Sequence, residues 1–292
     1  MVQRSRSTQS GKNDVTRRLF NGLALGCGVT FMAGFGGLAR ELAPSAKPWD
    51  RWQAHDPAST HALDHSAWSD LLNRFVVVQT GVNLVRYGDF DQAATQQLDD
   101  YLALLQAVPV SRLNRDQQFA FWVNLYNAQT VRTVLDHMPV SSIQDINISP
   151  GLFATDPWGA DLMRVEDQPL SLNDIEHRIL RPLWQDPRIH YAVNCASIGC
   201  PDLQPQAYMA DTLEQQLNGA AEAFVNSERA IQIDGDRLIV SSLYDWFYED
   251  FGGTDASLLA HLKHYAAPAL KARLDGFSAI SDDRYDWSLN AA

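Results

Sequence analysis

Apolar side chains recur every three or four residues in several segments of the chain, a spacing that predicts amphipathic helices. The longest such segment covers residues 115 to 137, with Asn114 placed to cap its first turn and Pro139 just beyond its end. Shorter segments at 65 to 77 and 96 to 107 repeat the spacing. We expect three helices whose apolar faces pack toward a common core.

Other segments predict more helices and a small amount of β-structure. Apolar-rich residues at 231–233 and 237–240 flank Asp234-Gly235, a dipeptide that favours a tight hairpin turn. Alternation over residues 188–194 predicts a strand. Further helices are expected at 171–180, 211–224, 243–251 and from 257 to near 268. The predicted fold class is therefore α+β: a mostly helical single domain packed on a small sheet that contains a hairpin.

The first 46 residues have the organisation of an export signal. Arg17 and Arg18 precede residues 22 to 38, which carry no charge and include six glycines. A paired arginine before a weakly hydrophobic segment is typical of a twin-arginine signal peptide. We expect cleavage within residues 37–46, at a position that the sequence does not single out, and a periplasmic or secreted protein. An uncleaved membrane anchor is the alternative, because the uncharged stretch is just shorter than the ~20 residues that span a bilayer.

The rest of the chain divides into two parts with an acidic balance. Residues 47–64 show no periodicity and are expected to form a linker, and residues 65–292 form the predicted globular domain. Beyond residue 46 there are 17 basic and 33 acidic residues, a net charge of −16. Such a surface repels phosphate backbones and anionic headgroups. We therefore expect no nucleic-acid partner and no stable membrane association after signal cleavage.

The side chains best suited to catalysis are concentrated in residues 188 to 203. Because Cys27 lies in the predicted signal, Cys195 and Cys200 would be the two cysteines of the processed protein. Cys200 stands between a glycine and a proline, an order that predicts a helix start. Backbone N–H groups at a helix start lower the pKa of a thiol and so activate it.

A catalytic group is predicted around that thiol. A turn after the expected strand would bring Cys200 back over His190, which supplies a nucleophile and a general base. The side-chain amide of Asn194 or of Asn127 would orient the histidine. The predicted catalytic residues are therefore Cys200, His190, Cys195 and Asn194.

Three other interpretations of the two cysteines are open. They could form a Cys195–Cys200 disulfide in an oxidising compartment. They could bind a soft metal together with His190 and His177, although so few ligands with mixed spacing make a weak metal motif. Finally, both thiols could be small buried apolar side chains.

Two asparagines lie within the longest predicted helix, where a better helix former would be expected. Asn124 and Asn127 flank its apolar stripe. Their amides could satisfy buried backbone groups, or they could line a binding site. The sequence alone leaves both roles open.

Several motifs together resemble the domain of unknown function 547 family. They are Phe121-Trp122-Val123-Asn124-Leu125-Tyr126-Asn127-Ala128, Leu170-Ser171-Leu172 with Ile175-Glu176-His177 and Leu180-Arg181, Arg188-Ile189-His190 through Cys200-Pro201, the close from Tyr248 to Phe251, and Tyr285-Asp286-Trp287-Ser288-Leu289-Asn290. The resemblance covers about residues 65 to 290. It assigns no activity, because the family has no agreed one. It implies secretion, as in bacterial relatives, and eukaryotic relatives joined to DEP or glutaredoxin-like domains hint at thiol chemistry or scaffolding.

The resemblance also implies a set of binding residues, namely Asn124, Tyr126, Asn127, Glu176, His177, Ser197 and Asp286. Buried polar side chains cost stability unless they are paired, so such a cluster is either a network or a site. We favour a thiol-dependent hydrolase or acyl transferase that acts on a small molecule or peptide. The alternatives are a non-catalytic periplasmic binding or assembly module with a structural disulfide, and a metal-binding protein. The sequence indicates no particular cofactor.

Overall fold

The structure is a computed structural model that describes Gly36, Arg40 and residues 43–150 and 156–292. Most of the predicted export signal therefore lies outside the described residues. The helices are α1 Ser66–Phe75, α2 Gln92–Gln106, α3 Arg115–His137, α4 Arg181–Trp184, α5 Ile189–Ala192, α6 Leu213–Val225, α7 Ser242–Trp246, α8 Asp255–Tyr265 and α9 Pro268–Leu274. The strands are β1 Val76–Gln79, β2 Val82–Val85, β3 Met163–Val165, β4 Gln168–Leu170, β5 Ile231–Asp234, β6 Arg237–Ser241 and β7 Asp282–Arg284.

The central element is α3, and its bounds confirm the prediction. The Asn114 side chain accepts a hydrogen bond from the Gln117 backbone at 2.9 Å, which caps the first turn. The helix is buried on every side from Gln118 to Val131. It therefore lies inside the domain rather than on its surface, and its polar side chains must find partners within the protein.

The β-structure consists of three small sheets. β1 pairs with β2 and β3 with β4, both antiparallel. The third sheet has the order β5-β6-β7, in which β5 and β6 form the predicted hairpin and β7 adds in parallel. Gly235 has a φ of 61° in the hairpin turn, a left-handed conformation that favours glycine. The predicted α+β class is confirmed.

The buried apolar side chains form two clusters that meet at α5. The larger cluster surrounds α3, and the smaller one is built from α6 to α8 and the third sheet. Ile189 and Ala192 of α5 pack into the larger cluster, whereas Tyr191 packs into the smaller one. The residues that follow α5, including both cysteines, therefore begin at the junction of the two cores.

Two local predictions in this region were wrong. Residues 188–194 contain the short helix α5 instead of a strand. All residues from Ile189 to Asn194 are buried, so the alternation in this segment does not correspond to a strand with one exposed and one buried face. No helix starts at Pro201, and residues 201–204 have no regular structure. The Pro201 carbonyl group instead accepts a hydrogen bond from the Asn194 side chain. The expected helix dipole at Cys200 is thus missing.

The segment predicted as a linker contributes to the core. Trp52 is buried and packs edge-on against Trp122, with ring centroids 5.1 Å apart, and Leu63 is also buried. Within residues 43–150 and 156–292, no helix is both long enough and apolar enough to cross a membrane.

Candidate functional site

The two cysteines lie in a closed loop, residues 194–201, which we call the Cys loop. Asn194 closes it: its Nδ2 donates to the Pro201 carbonyl at 2.8 Å, and its Oδ1 accepts from the Ala196 backbone at 2.9 Å. Ala196 has a φ of 60°, which an alanine rarely adopts. Backbone strain of this kind persists only where the surroundings enforce it, and it is concentrated at functional sites.

The two asparagines of α3 bind backbone groups of neighbouring segments. Asn127 accepts from the Asn194 backbone at 2.8 Å and donates to the Ala192 carbonyl at 2.9 Å. Asn124 makes the same two-bond contact with the backbone of Tyr208, at 3.0 and 2.8 Å. Of the two roles left open for these amides, the structure shows the first. Asn127 holds the start of the Cys loop, and Asn124 holds the segment after it.

The C-terminal segment runs along the Cys loop and brings Tyr285 to it. Backbone hydrogen bonds join Ile198 to Ser288 and Gly199 to Asp286, each at 2.8 Å. Asp286 was predicted as a binding residue, but its side chain is exposed and accepts from the Ser288 backbone at 2.9 Å. Its backbone, not its carboxylate, contacts the site.

A guanidinium group holds the other side of the loop. Arg229, just before β5, donates to the carbonyl groups of Ile198, at 3.1 Å, and Cys200. It also forms an ion pair with Asp202 at 2.7 Å. The loop is thus fixed by α3, by the C-terminal segment and by this arginine.

A hydrogen-bonded thiol cluster results, formed by Cys195, Ser197, Cys200 and Tyr285. The Cys195 Sγ atom lies 3.1 Å from Tyr285 Oη and 3.2 Å from Ser197 Oγ, and the two hydroxyls are 3.0 Å apart. The Cys200 Sγ atom accepts from the Cys195 backbone at 3.0 Å. Both cysteines are free; Cys195 is partly exposed and Cys200 is buried.

The two thiols are electrostatically different. A hydrogen bond with Cys200 and then those with Ser197 and Tyr285 lower the pKa of Cys195 and outweigh the opposing effect of burial. Burial raises the pKa of Cys200 well above its ordinary value, and it raises that of Tyr285 in the same way. Because its pKa is raised, the Tyr285 hydroxyl keeps its proton and can donate it in a hydrogen bond to Cys195 Sγ. The lowered thiol pKa predicted for Cys200 is found at Cys195 instead.

A second polar group, the carboxylate–histidine cluster, comprises Glu176, His177, Arg181, His190 and Asp250. His190 Nε2 lies 2.7 Å from Asp250 Oδ2, and His190 Nδ1 lies 3.6 Å from Glu176 Oε1. Arg181 contacts Asp250 with two nitrogens, at 2.5 and 3.1 Å, and His177 Nδ1 at 3.1 Å. Arg181 and the two histidines alternate with the two carboxylates in this cluster, so its buried polar groups have partners.

The pKa values in this cluster follow from burial and from neighbouring charge. Burial alone would raise the pKa of Glu176, but His177, His190 and Arg181 together lower it to about 2. Burial lowers the pKa of His177 to about 4, so this side chain is neutral at pH 7. Hydrogen bonds from His190 and Arg181 hold the pKa of Asp250 below its ordinary value against the effect of burial. Two carboxylates thus face His190.

Tyr126 lies between the two clusters. Its hydroxyl donates to Glu176 Oε2 at 3.3 Å, and burial first, then the charges of Glu176, Cys195 and Cys200, raise its pKa. Because both ring nitrogens of His190 face carboxylates, the predicted Cys200–His190 pair is not formed among the residues that the structure describes. His190 also stacks on Phe247, with centroids 4.0 Å apart. It belongs to the second cluster.

Four residues that shape the site were not predicted from the sequence, namely Arg181, Arg229, Asp250 and Tyr285. Three of them, all except Arg229, lie inside motifs that carry the family resemblance, which is the signal that could have identified them. Nothing in the local pattern singles out Arg229. No group of three or more histidine, cysteine, aspartate or glutamate side chains that could hold a metal ion occurs in the described part of the chain.

The fold and the site define an α+β protein in which a buried central helix fixes a loop with two cysteines. Residues 110–225 match the family described as "Protein of unknown function, DUF547". This match confirms the resemblance over that segment. The segment includes every predicted site residue except Asp286. No curated protein and no solved structure matches the chain.

Proposed function

We propose that this protein is a thiol-dependent hydrolase or acyl transferase whose nucleophile is Cys195. The observation that carries the proposal is the position of the Cys195 sulfur within 3.2 Å of two hydroxyl groups, in a residue that is partly exposed. Hydrogen-bond donors stabilise a thiolate, which is the reactive form of cysteine. A thiol whose ionised form is stabilised by such hydrogen bonds needs no histidine partner to lose its proton.

The geometry supports a two-step reaction. The Cys195 thiolate attacks a carbonyl carbon, a C–S bond forms, and the π electrons move to the carbonyl oxygen. The hydroxyls of Ser197 and Tyr285 are placed to donate to this oxyanion. When the bond to the leaving group breaks, that group takes a proton from Tyr285. Water or an acceptor nucleophile then gives a proton to the tyrosinate and attacks the thioester, which releases the acyl product and restores the thiolate.

Partly exposed aromatic rings next to the thiol cluster form a surface suited to a substrate. Trp246 lies 4.7 Å from the Tyr285 ring, and Trp287 lies 4.6 Å from it, measured between centroids. Trp246 and Trp287 also stack on each other at 5.5 Å. Such rings bury large apolar areas on binding and favour a small molecule or peptide with an apolar or planar group.

The carboxylate–histidine cluster has a positioning role in this proposal. His190 precedes the Cys loop by four residues, and its two carboxylate contacts fix α5. Asn194 and Asn127 then hold the loop at its start. Of the four residues predicted to be catalytic, we assign the covalent step to Cys195 alone.

The test is the alkylation rate of each cysteine in the intact chain as a function of pH, resolved by peptide mass spectrometry. We expect Cys195 to react with iodoacetamide well below pH ~8.5, the ordinary pKa of a free cysteine, and Cys200 to react only after unfolding. Cys200→Ser is the matched control, because a hydroxyl can still donate toward Cys195. Mixing with an activated acyl ester such as p-nitrophenyl acetate should add one acyl group at Cys195. Faster labelling of Cys200 than of Cys195 would contradict the assignment.

One observation favours a second candidate function, a binding or assembly module stabilised by a disulfide. The Cys200 sulfur touches the backbone of Cys195, which places the two side chains next to each other. In that case neither cysteine would react before a reductant is added, no acyl group would be transferred, and Cys195→Ser would lower stability. The alkylation experiment therefore separates the two functions.

We further infer that the protein is exported by the twin-arginine route. The support is the paired Arg17 and Arg18 before an uncharged, glycine-containing segment. The test is cell fractionation with N-terminal sequencing of the recovered protein. A double change of Arg17 and Arg18 to lysine should leave the chain in the cytoplasm, and unchanged processing of that variant would contradict the route.

A further inference from the structure

An arginine of the N-terminal segment is seated against a buried carboxylate of α7. The Arg40 guanidinium contacts Asp245 Oδ1 through Nε at 2.9 Å and Nη2 at 2.7 Å. The backbone of Gly36 donates to the same oxygen at 2.8 Å. The Asp245 side chain is only 2% exposed. One carboxylate oxygen thus accepts two hydrogen bonds from the N-terminal segment and is ion-paired with the guanidinium group of Arg40.

An aromatic face completes this contact. The guanidinium carbon of Arg40 lies 3.7 Å from the centroid of the Tyr248 ring. A flat, weakly hydrated guanidinium stacks on an aromatic face and donates two nitrogens to a carboxylate at the same time, whereas an ammonium group cannot do both. The combination of Asp245 and Tyr248 therefore matches arginine better than lysine.

The chain after Arg40 continues past the carboxylate–histidine cluster. The carbonyl group of Pro44 accepts from Arg181 Nη1 at 2.5 Å, and the backbone of Lys47 donates to the His177 carbonyl at 2.9 Å. These contacts are made by the part of the chain that ends at or near the expected signal cleavage. Loss of residues 1–46 would remove Gly36, Arg40 and Pro44 from this face together.

We propose that Asp245 and the Tyr248 ring form a guanidinium-binding site, which Arg40 fills in the intact chain and which takes an arginine side chain of a peptide once the N-terminal segment is removed. A buried carboxylate that loses its cation is left with an uncompensated negative charge, which favours the binding of another cation. The acidic balance of the rest of the chain also favours a cationic ligand.

The proposed site adjoins the thiol cluster through one residue. Trp246 follows Asp245 directly and packs against Tyr285, which contacts Cys195. A peptide held by its arginine at Asp245 would therefore lie beside the aromatic surface described above. The binding proposal does not depend on catalysis, because it concerns contacts to Asp245 and Tyr248 alone.

The test uses the full chain with Arg40→Ala, which vacates the site without shortening the protein. The probe is a fluorescently labelled peptide, Leu-Ala-Arg-Glu-Leu, with the sequence of residues 38–42, and its partner contains lysine in place of arginine. We expect the variant to bind the arginine peptide about tenfold more tightly than the unaltered chain does, because a tethered Arg40 competes at high effective concentration. We also expect about tenfold preference over the lysine peptide. Fluorescence anisotropy measures both.

Two further variants keep the result decisive. Adding Asp245→Asn to Arg40→Ala should abolish binding, and Tyr248→Leu tests the ring without altering a charge. Melting curves recorded for each variant identify any that fail to fold. Equal affinity of the unaltered chain and the Arg40→Ala chain, or equal affinity for the two peptides, would overturn the proposal. Neither result would affect the assignment of Cys195, which is tested by alkylation.

Discussion

There is no room for a side chain between Gly199 and Asp286. A Cβ atom on Gly199 would lie 2.8 Å from the Asp286 nitrogen, 2.9 Å from its carbonyl oxygen and 2.9 Å from the Tyr285 ring. Because two of these atoms belong to the backbone, they cannot move aside as the end of a flexible side chain could. The close approach is what allows the C-terminal segment to pair with the Cys loop.

Gly199→Ala should therefore destabilise the protein by about 1–3 kcal/mol, the usual cost of forcing extra atoms into a packed region. Urea denaturation measures the free energy of unfolding. The matched control is Gly219→Ala in α6, where a Cβ atom meets nothing within 4 Å. This control should stabilise the protein by up to about 1 kcal/mol, because alanine is the better helix former. Similar losses for both variants would refute the close-approach argument.

Asn127→Ala should unfold at lower urea concentration and also change the reactivity of Cys195. It leaves two buried backbone groups without partners, at a cost of about 2–5 kcal/mol. Asn124→Ala removes an equivalent pair of bonds at Tyr208, away from the start of the Cys loop. It should lose similar stability and leave the alkylation profile of Cys195 unchanged. If both variants changed that profile equally, Asn127 would have no special part in holding the loop.

Tyr285→Phe should raise the pKa of the Cys195 thiol. The change removes one of the hydroxyl donors that lower this pKa and leaves the ring packing in place. At pH 7 the thiolate fraction, and with it the alkylation rate of Cys195, should fall by about three- to tenfold. Tyr265→Phe, at a partly exposed tyrosine whose hydroxyl bonds Asn218, is the control. An unchanged rate in Tyr285→Phe would show that its hydroxyl does not stabilise the thiolate.

His65 should make the protein less stable as the pH falls below 6.5. Burial lowers its pKa from 6.5 to about 4, while its Nδ1 bonds the Tyr101 hydroxyl at 2.7 Å. Between these two values the unfolded chain binds the proton and the folded chain does not, so lower pH favours unfolding. His65→Asn removes this titration.

The pH dependence of unfolding in urea measures the effect. Between pH 6.5 and 4, the free energy of unfolding of His65→Asn should fall less steeply than that of the unaltered chain, by about 1.4 kcal/mol per pH unit. His55→Asn, which changes an exposed histidine, is the matched control. Parallel slopes for all three proteins would show that folding does not lower the pKa of His65.

The sequence by itself determined the elements whose signals are local. Asn114 and Pro139 bracket α3, and Asp234-Gly235 marks the β5–β6 hairpin, as the structure confirms. Capping and turn chemistry depend on residues a few positions apart, so the pattern contains the information. The motifs also indicated the family resemblance, which the match over residues 110–225 confirms.

Only the tertiary structure decided how the site is assembled. Tyr285 and Cys195 are 90 residues apart, and Arg229 reaches the Cys loop from the start of another sheet, so no local spacing relates them. The strand expected at residues 188–194 is not formed. Residues 189–194 are buried on all sides, so alternating side chains there do not mark one exposed and one buried face of a strand. The lowered thiol pKa lies at Cys195 and not at Cys200. A hydrogen bond with Cys200, followed by those with Ser197 and Tyr285, lowers the pKa of Cys195, whereas burial raises that of Cys200. Only the folded chain defines these contacts and the depth of burial.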